Sequence, residues 1–261
     1  MHDAERIILD DIRRKMESIA GHTGFYYRNL VSGYEYNIRS DDVFGAASVI
    51  KLPLFMHVYK LCDEGLLSME QTVTVDNEDK VPICGALTLF TGPVSTDIRT
   101  LCKLMISISD NTATNVLIDR CGLSSIHSGF RQMGLHKTQL NRKLFDHNAS
   151  AAGIRNLICL REIGELLSML YRESYISANV SKEIIETLLL QQVDHKLNGR
   201  ICGEVSIAHK TGEDDHLSND VGIVYAPEPF VICFAGENTD VYLWEDLIRN
   251  AAYDLYKAQM S

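Results

Sequence analysis

The sequence predicts an α+β protein in which both chain ends build one mainly antiparallel sheet, packed on a lobe made of helices. Three observations support this fold class. A strand–turn–strand pattern occupies residues 24–38, helical periodicity dominates from about residue 46 to 190, and strand patterns followed by a last helix return after Gly203. Because the strand patterns lie at both ends of the chain, we expect the terminal segments to share one sheet, flanked by terminal helices.

The size and composition fit a single folded unit. The chain has 261 residues, of which 46% are hydrophobic and 23% are charged, so it can bury a large core. We predict one domain over residues 1–261. Its α/β lobe is discontinuous, roughly 1–45 and 192–261, and its all-helical lobe spans roughly 46–191.

The amino-terminal elements are a helix and a hairpin. The helix is predicted over residues 4–20, and the hairpin strands over 24–31 and 34–38. Ile8, Ile12 and Met16 recur at helical spacing, and Gly21 ends that pattern. Ser32-Gly33 supplies the residues that a tight turn between two strands prefers.

The middle of the chain is predicted to be helical. The helices run from Ser48 to about Gly65 and over residues 96–108, 111–120, 157–171 and 182–191. Ser48 precedes a long apolar run, so it stands where an N-cap or first-turn residue is expected.

The carboxy-terminal part switches to a two-residue period after Gly203. Strands are predicted over residues 205–210, 220–225 and 230–235, and a helix over 241–256. Turns are expected around Gly212 and at Pro227-Glu-Pro229. Trp244 and Leu247 share one face of the last helix with further apolar residues, which predicts that this face is buried.

Charge and hydropathy narrow the choice of partners. The formal net charge of −10 disfavours nucleic acids and anionic membrane surfaces as partners. No apolar stretch is long enough to predict a membrane span, and the amino terminus shows no signal-peptide pattern. We therefore expect a cytoplasmic protein with a small-molecule partner, and the oligomeric state stays open.

The cysteines and histidines do not form a metal-binding pattern. The seven cysteines are dispersed, none belongs to a C-x-x-C pair, and most follow Ile or Leu. This pattern predicts buried free thiols in a reducing compartment rather than disulfides or a catalytic thiol. The nine histidines show no zinc-ligand spacing. We therefore predict no metal and no cofactor.

Ser48 and Lys51 form the first of three short motifs, Ser-x-x-Lys. Residues three apart share a helix face, so the Lys51 amine can reach the Ser48 hydroxyl. Serine needs a base to become a nucleophile, and a second amine such as Lys210 would lower the pKa of Lys51 toward that role. Free N–H groups at a helix amino terminus would stabilise an oxyanion. Taken alone the motif is common, and a surface serine followed by a solvated lysine is the alternative.

Ser109-Asp110-Asn111 is the second motif. Ser109 would relay a proton to the leaving group, and the Asn111 amide would orient the lysine and the acyl amide of a substrate. The alternative is a helix-capping turn, for which serine, aspartate and asparagine are the preferred residues.

Lys210-Thr211-Gly212 is the third motif, at the end of a predicted strand. The ammonium and hydroxyl would bind an anionic or carbonyl group, and Gly212 would allow close approach to the backbone. The backbone N–H of Glu213 would be the second oxyanion donor beside that of Ser48. The alternative is a strand end closed by a glycine turn.

The three motifs together, in this order, resemble the signature of class A β-lactamases and penicillin-binding proteins over essentially the whole chain. The resemblance implies a β-lactamase/transpeptidase-like fold. It also implies that Ser48 is the nucleophile and Lys51 the base for acylation. It further implies that Ser109 and Asn111 relay and position, and that Lys210 and Thr211 anchor the substrate. Within that family the acylation base is disputed.

The first departure from the family pattern concerns deacylation. Class A enzymes carry a glutamate in the loop after the Ser-Asp-Asn helices, where it activates the deacylating water. Arg142 and Asn148 match the pattern of that loop, but Leu144 occupies the position of the glutamate. Asp146 is the nearby carboxylate, which either substitutes through a water or pairs with Arg142 or Lys143.

The second departure concerns the charge of the substrate. Class A enzymes usually hold the β-lactam carboxylate with an arginine on the strand after the third motif, and residues 216–220 contain none. Glu213 shares a strand face with Thr211, so its carboxylate would repel an anionic ligand, by roughly 1 kcal/mol or more when partly buried. The alternative is that Glu213 and the two following aspartates turn outward.

These residues favour a serine acyl hydrolase that opens β-lactams or related amides and esters through an acyl-Ser48 intermediate, with slow deacylation. The acidic residues after Gly212 motivate an alternative, a cytosolic esterase or amidase that acts on a neutral or cationic acyl donor. Leu144 motivates a second alternative, a non-hydrolytic penicillin-binding sensor or trap.

Overall fold

The computed structural model describes residues 3–260, with side chains from residue 5 onward. Its helices are α1 (Asp3–Ser18), α2 (Lys51–Asp63), α3 (Ile98–Ser107), α4 (Asn111–Cys121), α5 (Leu123–Gln132), α6 (His147–Ala151), α7 (Leu160–Tyr171), α8 (Ala178–Leu188) and α9 (Val241–Ala258). Its strands are β1 (His22–Asn29), β2 (Glu35–Ile38), β3 (Val43–Gly45), β4 (Thr72–Val75), β5 (Val94–Asp97), β6 (Leu157–Cys159), β7 (Ile207–Asp214), β8 (Leu217–Val224) and β9 (Phe230–Glu237).

The main sheet has five antiparallel strands in the order β2-β1-β9-β8-β7. Strand β1 from the amino-terminal part lies beside β9 from the carboxy-terminal part, with Phe25 opposite Phe234. The two ends of the chain therefore build one sheet, and the predicted α+β fold with a mainly antiparallel sheet is confirmed. This order leaves β7 at an edge, where its backbone can face a substrate.

Both faces of the sheet are covered, because successive side chains of a strand point to opposite sides. On β1, Phe25 and Tyr27 pack in the cluster that includes Leu9 of α1 and Trp244 of α9. The intervening Tyr26 packs in the larger cluster with the helices of the middle segment. The sheet therefore separates the terminal helices on one side from the central helices on the other.

The middle segment is not purely helical, contrary to the all-helical prediction. Strands β4 and β5 pair antiparallel, and β6 pairs with β3. As a result, the predicted helix over residues 96–108 begins only at Ile98, where the Asp97 side chain accepts a hydrogen bond from Thr100 N at 2.7 Å and caps α3. The predicted helix over residues 157–171 begins only at Leu160, because the preceding residues lie in β6.

The predicted turn around Gly212 is wrong. Strand β7 continues through Gly212 to Asp214 and pairs with β8 along its whole length, so the turn falls at Asp215 and His216. His216, the second central residue of this turn, takes the left-handed backbone conformation, with φ of 55°. Gly212 therefore does not serve a turn. The reason for a glycine at position 212 is its packing against Ser48.

All seven cysteines are free. Cys102, Cys159 and Cys233 are buried, as expected, but Cys84 and Cys202 are exposed, so the prediction of buried thiols is wrong for these two. Within residues 3–260 we find no helix whose length and apolar character would let it cross a membrane.

Candidate active site

Ser48 lies on a short 3₁₀ turn, Ala47–Ile50, which leads directly into α2. It is thus a first-turn residue rather than an N-cap, since the N-cap position falls on Ala46. Ala47 has a φ of 41°, a conformation that non-glycine residues rarely adopt. Such local strain persists only where the surroundings hold it, and it is frequent at functional sites. Ser48 is partly exposed and lines a cleft of about 400 Å³.

Gly212 allows β7 to pack directly against the turn that carries Ser48. A Cβ atom at this position would lie 3.0 Å from Ala46 O and 3.1 Å from Ser48 N, closer than side chains normally tolerate. Asn219, fully buried on the neighbouring strand, donates from Nδ2 to Gly45 O at 2.9 Å and to Ala46 O at 3.3 Å. The edge of β7 and the backbone of Ser48 are therefore held side by side.

Lys51 is fully buried and makes three hydrogen bonds. Its Nζ donates to Ser109 O at 2.8 Å, to Ser109 Oγ at 3.0 Å and to Asn111 Oδ1 at 2.7 Å. None of these bonds goes to Ser48, the partner that the motif spacing predicts. Burial, reinforced by the nearby Lys210 ammonium, holds the pKa of Lys51 well below its ordinary value. A lowered pKa favours the neutral amine, the form that accepts a proton; in that form two of the three contacts are donated by Nζ and the Ser109 hydroxyl can donate the third.

Lys210 approaches the same hydroxyl from the sheet. Its Nζ donates to Ser109 Oγ at 3.1 Å and to Thr211 O at 3.0 Å, and its side chain is fully buried. Burial lowers the pKa of Lys210 to about 7; Lys196 acts in the same direction and the Asp220 carboxylate opposes it. Ser109 Oγ therefore bridges the two amines, which lie far apart in the sequence.

The Ser-Asp-Asn motif lies at the junction of α3 and α4. Ser109 has a φ of 57°, and Asn111 uses its amide in two directions: Oδ1 binds Lys51 and Nδ2 donates to Ile83 O at 2.7 Å. Asp110, to which the sequence analysis assigned no role, caps α4 by accepting from Ala113 N at 2.9 Å. The capping alternative is thus correct for Asp110, while its two neighbours face the lysines.

Leu144 and Asp146 both line the cleft, but they differ in their partners. The backbone of Leu144 is held on both sides by Asn115, whose Oδ1 accepts from Leu144 N at 2.8 Å and whose Nδ2 donates to Leu144 O at 2.9 Å. Asp146 is exposed and caps α6 through a bond from Ala149 N to Oδ1 at 2.9 Å. Lys143 pairs with Asp119 instead of Asp146. A catalytic role of Asp146 therefore stays a prediction, next to a structural role that the geometry already explains.

Lys196 is the charged residue that sequence reasoning missed. It lies in the loop before β7, is fully buried, and donates from Nζ to Glu213 Oε1 at 2.9 Å and to Ser218 Oγ at 3.2 Å. Burial raises the pKa of Glu213, but Lys196 and His195 more than offset this, so the pKa lies below its ordinary value. A single lysine outside any motif carries no sequence signal of such burial.

One group of side chains in the described part of the chain has donor atoms close enough for a metal ion. His195, Glu213 and Glu245 offer ligand atoms within 4.8 Å of one another. Both carboxylates already have basic partners, Lys196 at 2.9 Å and Arg249 at 3.7 Å. We therefore assign this group to the charge network beside the cleft.

The geometry brings most of the predicted residues to one place. Ser48, Asn111, Asp146 and Glu213 line the cleft, and the amines of Lys51 and Lys210 meet at Ser109 Oγ behind it. Thr211 and Gly212 are buried on β7 next to Glu213, and of these three residues only Glu213 belongs to the cleft lining. What each residue does chemically stays a prediction at this point.

Comparisons with known proteins agree with this arrangement. Residues 8–259 match a family described as the β-lactamase enzyme family. A β-lactamase from Rhodobacter capsulatus is 25% identical over 249 residues, which cover 93% of this chain and 83% of that protein. The structure of PBP-A is similar with a TM-score of 0.87 at 26% identity, covering 97% of this chain and 95% of the other.

A second structure of PBP-A is a leucine-to-glutamate variant, described as an acyl-enzyme complex with penicillin G. It matches with a TM-score of 0.85 at 26% identity over 98% of this chain and 96% of that one. Since the family match covers nearly the whole sequence, this chain belongs to the β-lactamase enzyme family.

Proposed function

We propose that the protein is a serine acyl hydrolase that reacts with β-lactams, or with related amides and esters, through an acyl-Ser48 intermediate. The observation that carries this proposal is the meeting of two buried amines, Lys51 and Lys210, at Ser109 Oγ beside the cleft that Ser48 lines. The reaction needs no cofactor, because the nucleophile, the base and the proton relay are all side chains of this chain.

In the proposed acylation, Ser48 Oγ attacks the acyl carbonyl while its proton passes to the neutral amine of Lys51. The carbonyl C–N bond then breaks, and the proton reaches the leaving nitrogen through Ser109. The backbone N–H groups of Ser48 and Glu213 would stabilise the oxyanion, a role supported by the close packing of β7 on the Ser48 turn. In a β-lactam the leaving nitrogen stays attached, so the enzyme gains the mass of the whole molecule.

We propose that deacylation is slow because Leu144 offers no proton acceptor to a hydrolytic water. The support for this step is chemical: an aliphatic side chain cannot accept a proton from water, and Leu144 lies in the cleft lining. The hydrogen bonds from Asn115 fix the Leu144 backbone at the cleft, where an acceptor would be needed.

Incubation with a fluorescent penicillin, followed by intact-mass analysis, tests the proposal. We expect one adduct with the mass of the whole penicillin, located on Ser48 by peptide mapping and absent from the Ser48→Ala variant. Ser150 also borders the cleft and is exposed, so Ser150→Ala is a matched control that should keep the adduct. Labelling that survives in Ser48→Ala would contradict the assignment of the nucleophile.

A second candidate keeps the acyl chemistry and changes the substrate. Glu213 and Asp214 place carboxylates in the cleft, which favours an esterase or amidase for a neutral or cationic acyl donor. The seven free cysteines support a reducing, cytoplasmic setting for such an activity. Steady-state kinetics on p-nitrophenyl esters and on nitrocefin decide between the two: a far higher kcat/KM for nitrocefin would reject this version.

A third candidate is a sensor or trap whose acyl-enzyme persists. Leu144 favours it, since a long-lived adduct follows directly from a missing base. The lifetime of the Ser48 adduct after removal of free penicillin is the measurement, and release within seconds would rule out a trap.

A further inference from the structure

Lys196 is a buried cation at the edge of the candidate active site. Its side chain has no exposed surface, and its ammonium binds the Glu213 carboxylate at 2.9 Å and the Ser218 hydroxyl at 3.2 Å. A charge removed from water is costly unless it is paired and hydrogen-bonded. The surrounding residues therefore form a binding position for the Lys196 ammonium, and Glu213 is the ionic partner of that ammonium.

Glu213 lies between that ammonium and the cleft. It follows Thr211 by two residues on the edge strand β7, so the two side chains share one face, and it lies opposite Ser218 on β8. Its side chain is 47% exposed, whereas that of Lys196 is 0% exposed, and Glu213 is part of the cleft lining. A substrate group that approaches Thr211 along β7 therefore meets the carboxylate of Glu213 before it can meet Lys196.

The neighbouring charges add to the repulsion that Glu213 exerts on an anionic substrate group. His195 Nε2 lies 3.4 Å from Glu213 Oε1 and 3.5 Å from Glu245 Oε2, so the histidine is shared between two carboxylates. Asp214 extends the negative charge along the cleft wall, and Asp220 is buried against His209 at 3.0 Å. An incoming carboxylate at this wall would thus face like charge, which costs affinity.

Arg155, a basic side chain of the cleft lining, is also paired with a carboxylate of this chain. Arg155 pairs with Glu237, whose Oε2 also accepts a bond from Gly45 N at 3.1 Å. A carboxylate of the protein itself therefore neutralises this cation as well.

We propose that Glu213 occupies, from within the chain, the anion site that Lys196 would otherwise offer, so that the cleft selects acyl donors without a carboxylate beside the scissile bond. Glu213 is thus a specificity-determining residue, and Lys196 is the anchor that holds it in place. The inference rests on the proposed acylation of Ser48, and it defines the substrate class as neutral or cationic at this position.

The test compares benzylpenicillin with its methyl ester, which differ in one negative charge. The second-order rate of Ser48 acylation is measured by intact mass for both compounds, and the acid-to-ester ratio is the readout, since intrinsic reactivity cancels between variants. In Glu213→Ala we expect this ratio to rise about tenfold or more, because removal of one like charge and exposure of a cation together exceed about 1.4 kcal/mol. Glu213→Gln, which keeps the side-chain volume, should raise the ratio in the same direction by a smaller factor.

Two further variants decide the cause. The double variant Glu213→Ala/Lys196→Met should bring the ratio well below that of Glu213→Ala, because the exposed cation is then absent and only the loss of the like charge remains. Asp214→Asn is the matched control: it removes a carboxylate of the same cleft wall that does not bind Lys196, and it should change the ratio far less than Glu213→Ala.

Each remaining outcome contradicts the inference in a distinct way. A ratio that stays constant in both Glu213 variants, or one that rises as much without Lys196, overturns the masked anion site while Ser48 acylation itself stands. If neither compound labels Ser48 in any folded variant, the proposed function fails, and the inference fails with it.

Discussion

At the scale of single residues, the main feature of the site is that two buried lysines hydrogen-bond to one serine hydroxyl. Ser109 Oγ has two lone pairs and one proton, so it can accept from both amines or donate to one of them. Burial is the main cause that lowers the pKa of both lysines; Lys210 reinforces it at Lys51, and at Lys210 the Asp220 carboxylate opposes it while Lys196 reinforces it. In the proposed mechanism Lys51 is the base, and Lys210, with its pKa lowered to about 7, lies close to its titration point at neutral pH.

The first prediction concerns the pH dependence of acylation. As pH falls through the depressed pKa of Lys51, the base becomes protonated and acylation slows; as pH rises through about 7, Lys210 loses its proton and its positive charge. We therefore expect a bell-shaped profile with its descending limb near pH 7, measured as the acylation rate of Ser48 by an uncharged β-lactam ester.

The matched variant for this prediction is Lys210→Arg. A guanidinium stays protonated throughout the accessible range, so the descending limb should disappear in this variant, whatever its maximal rate. A native-like descending limb in Lys210→Arg would show that a different group titrates.

The second prediction concerns Leu144→Glu. The backbone at this position is held by Asn115, so a glutamate side chain would start from a fixed point at the cleft and could act as a base toward water. We expect the half-life of the penicillin adduct on Ser48 to shorten by about 10²-fold, in line with the usual contribution of a general base. Leu144→Gln has the same size without the base and should leave the half-life nearly unchanged. Equal half-lives for the glutamate and glutamine variants would exclude the missing base as the cause of slow deacylation.

At the scale of elements, Asp110 ties a helix to the segment above the cleft. Its Oδ1 caps α4 at Ala113 N, while its Oδ2 accepts from Ala86 N at 2.7 Å and from Leu87 N at 3.0 Å. Gly85 makes this approach feasible, since a Cβ atom there would lie 2.2 Å from Asp110 Cγ. One carboxylate thus orders the amino terminus of α4 and the loop that follows Ile83.

The third prediction follows from that arrangement. In Asp110→Ala, two buried backbone N–H groups and one part-buried N–H group lose their acceptor, so we expect the free energy of unfolding to fall by about 3 kcal/mol. Asp97→Ala is the control, because Asp97 caps α3 through a single bond from Thr100 N and should cost only about 1 kcal/mol. Urea denaturation measures both values. If the two variants lose the same stability, Asp110 acts as an ordinary cap and the loop does not depend on it.

The sequence predicts helices and strands well where the hydrophobic periodicity is strong. It predicts them poorly where a tertiary contact determines the secondary structure. The strands of the main sheet follow from two-residue alternation, and α9 from the spacing of Trp244 and Leu247. By contrast, β6 reads as the start of a helix, because its three residues are apolar and the pairing with β3 is invisible along the chain. Gly212 reads as a turn for the same reason: its packing against Ser48 N is a tertiary contact that leaves no local pattern.

The residues of the candidate site also differ in whether the sequence alone predicts them. The sequence alone predicts that the motif residues act together. These residues are Ser48, Lys51, Ser109, Asn111 and Lys210. Lys196 belongs to no motif and to no periodic pattern, and the sequence therefore predicts a solvent-exposed lysine. It is buried because its loop folds against β7 and β8. The effect of Glu213 could be anticipated from its charge, but the cation behind it could not.

At the scale of the whole molecule, the sheet and the central helices share one core. The larger hydrophobic cluster contains residues of β1, β8 and β9 together with residues of α2, α3, α4 and α7. Polar contacts join the same parts: Arg28 of β1 donates to Glu165 at 2.8 Å and to Ser168 Oγ at 3.1 Å, both on α7. Since Ser48 and Lys51 lie on one side of this junction and Lys210 on the other, the site depends on an intact contact between them.

The last prediction is that the protein unfolds as one cooperative unit. Trp244, the one tryptophan of the sequence, is fully buried, donates from Nε1 to Ser218 O at 2.8 Å and packs 5.7 Å from Phe234, so its fluorescence reports on the sheet and α9. Far-UV circular dichroism reports mainly on the helices. Because the two parts share one core, the urea transitions seen by both probes should coincide.

Arg28→Met sharpens this test, since it removes the polar contacts between β1 and α7 but keeps an apolar side chain. We expect both transitions to move together to lower urea, with a loss of about 1–3 kcal/mol, because Glu165 is half exposed and its pairing with Arg28 is partly screened by water. A fluorescence transition that separates from the dichroism transition, in either protein, would mean that the sheet and the central helices unfold independently. In that case the convergence of Lys51 and Lys210 would rest on a docking equilibrium rather than on a single fold, and acylation would be lost before the sheet unfolds.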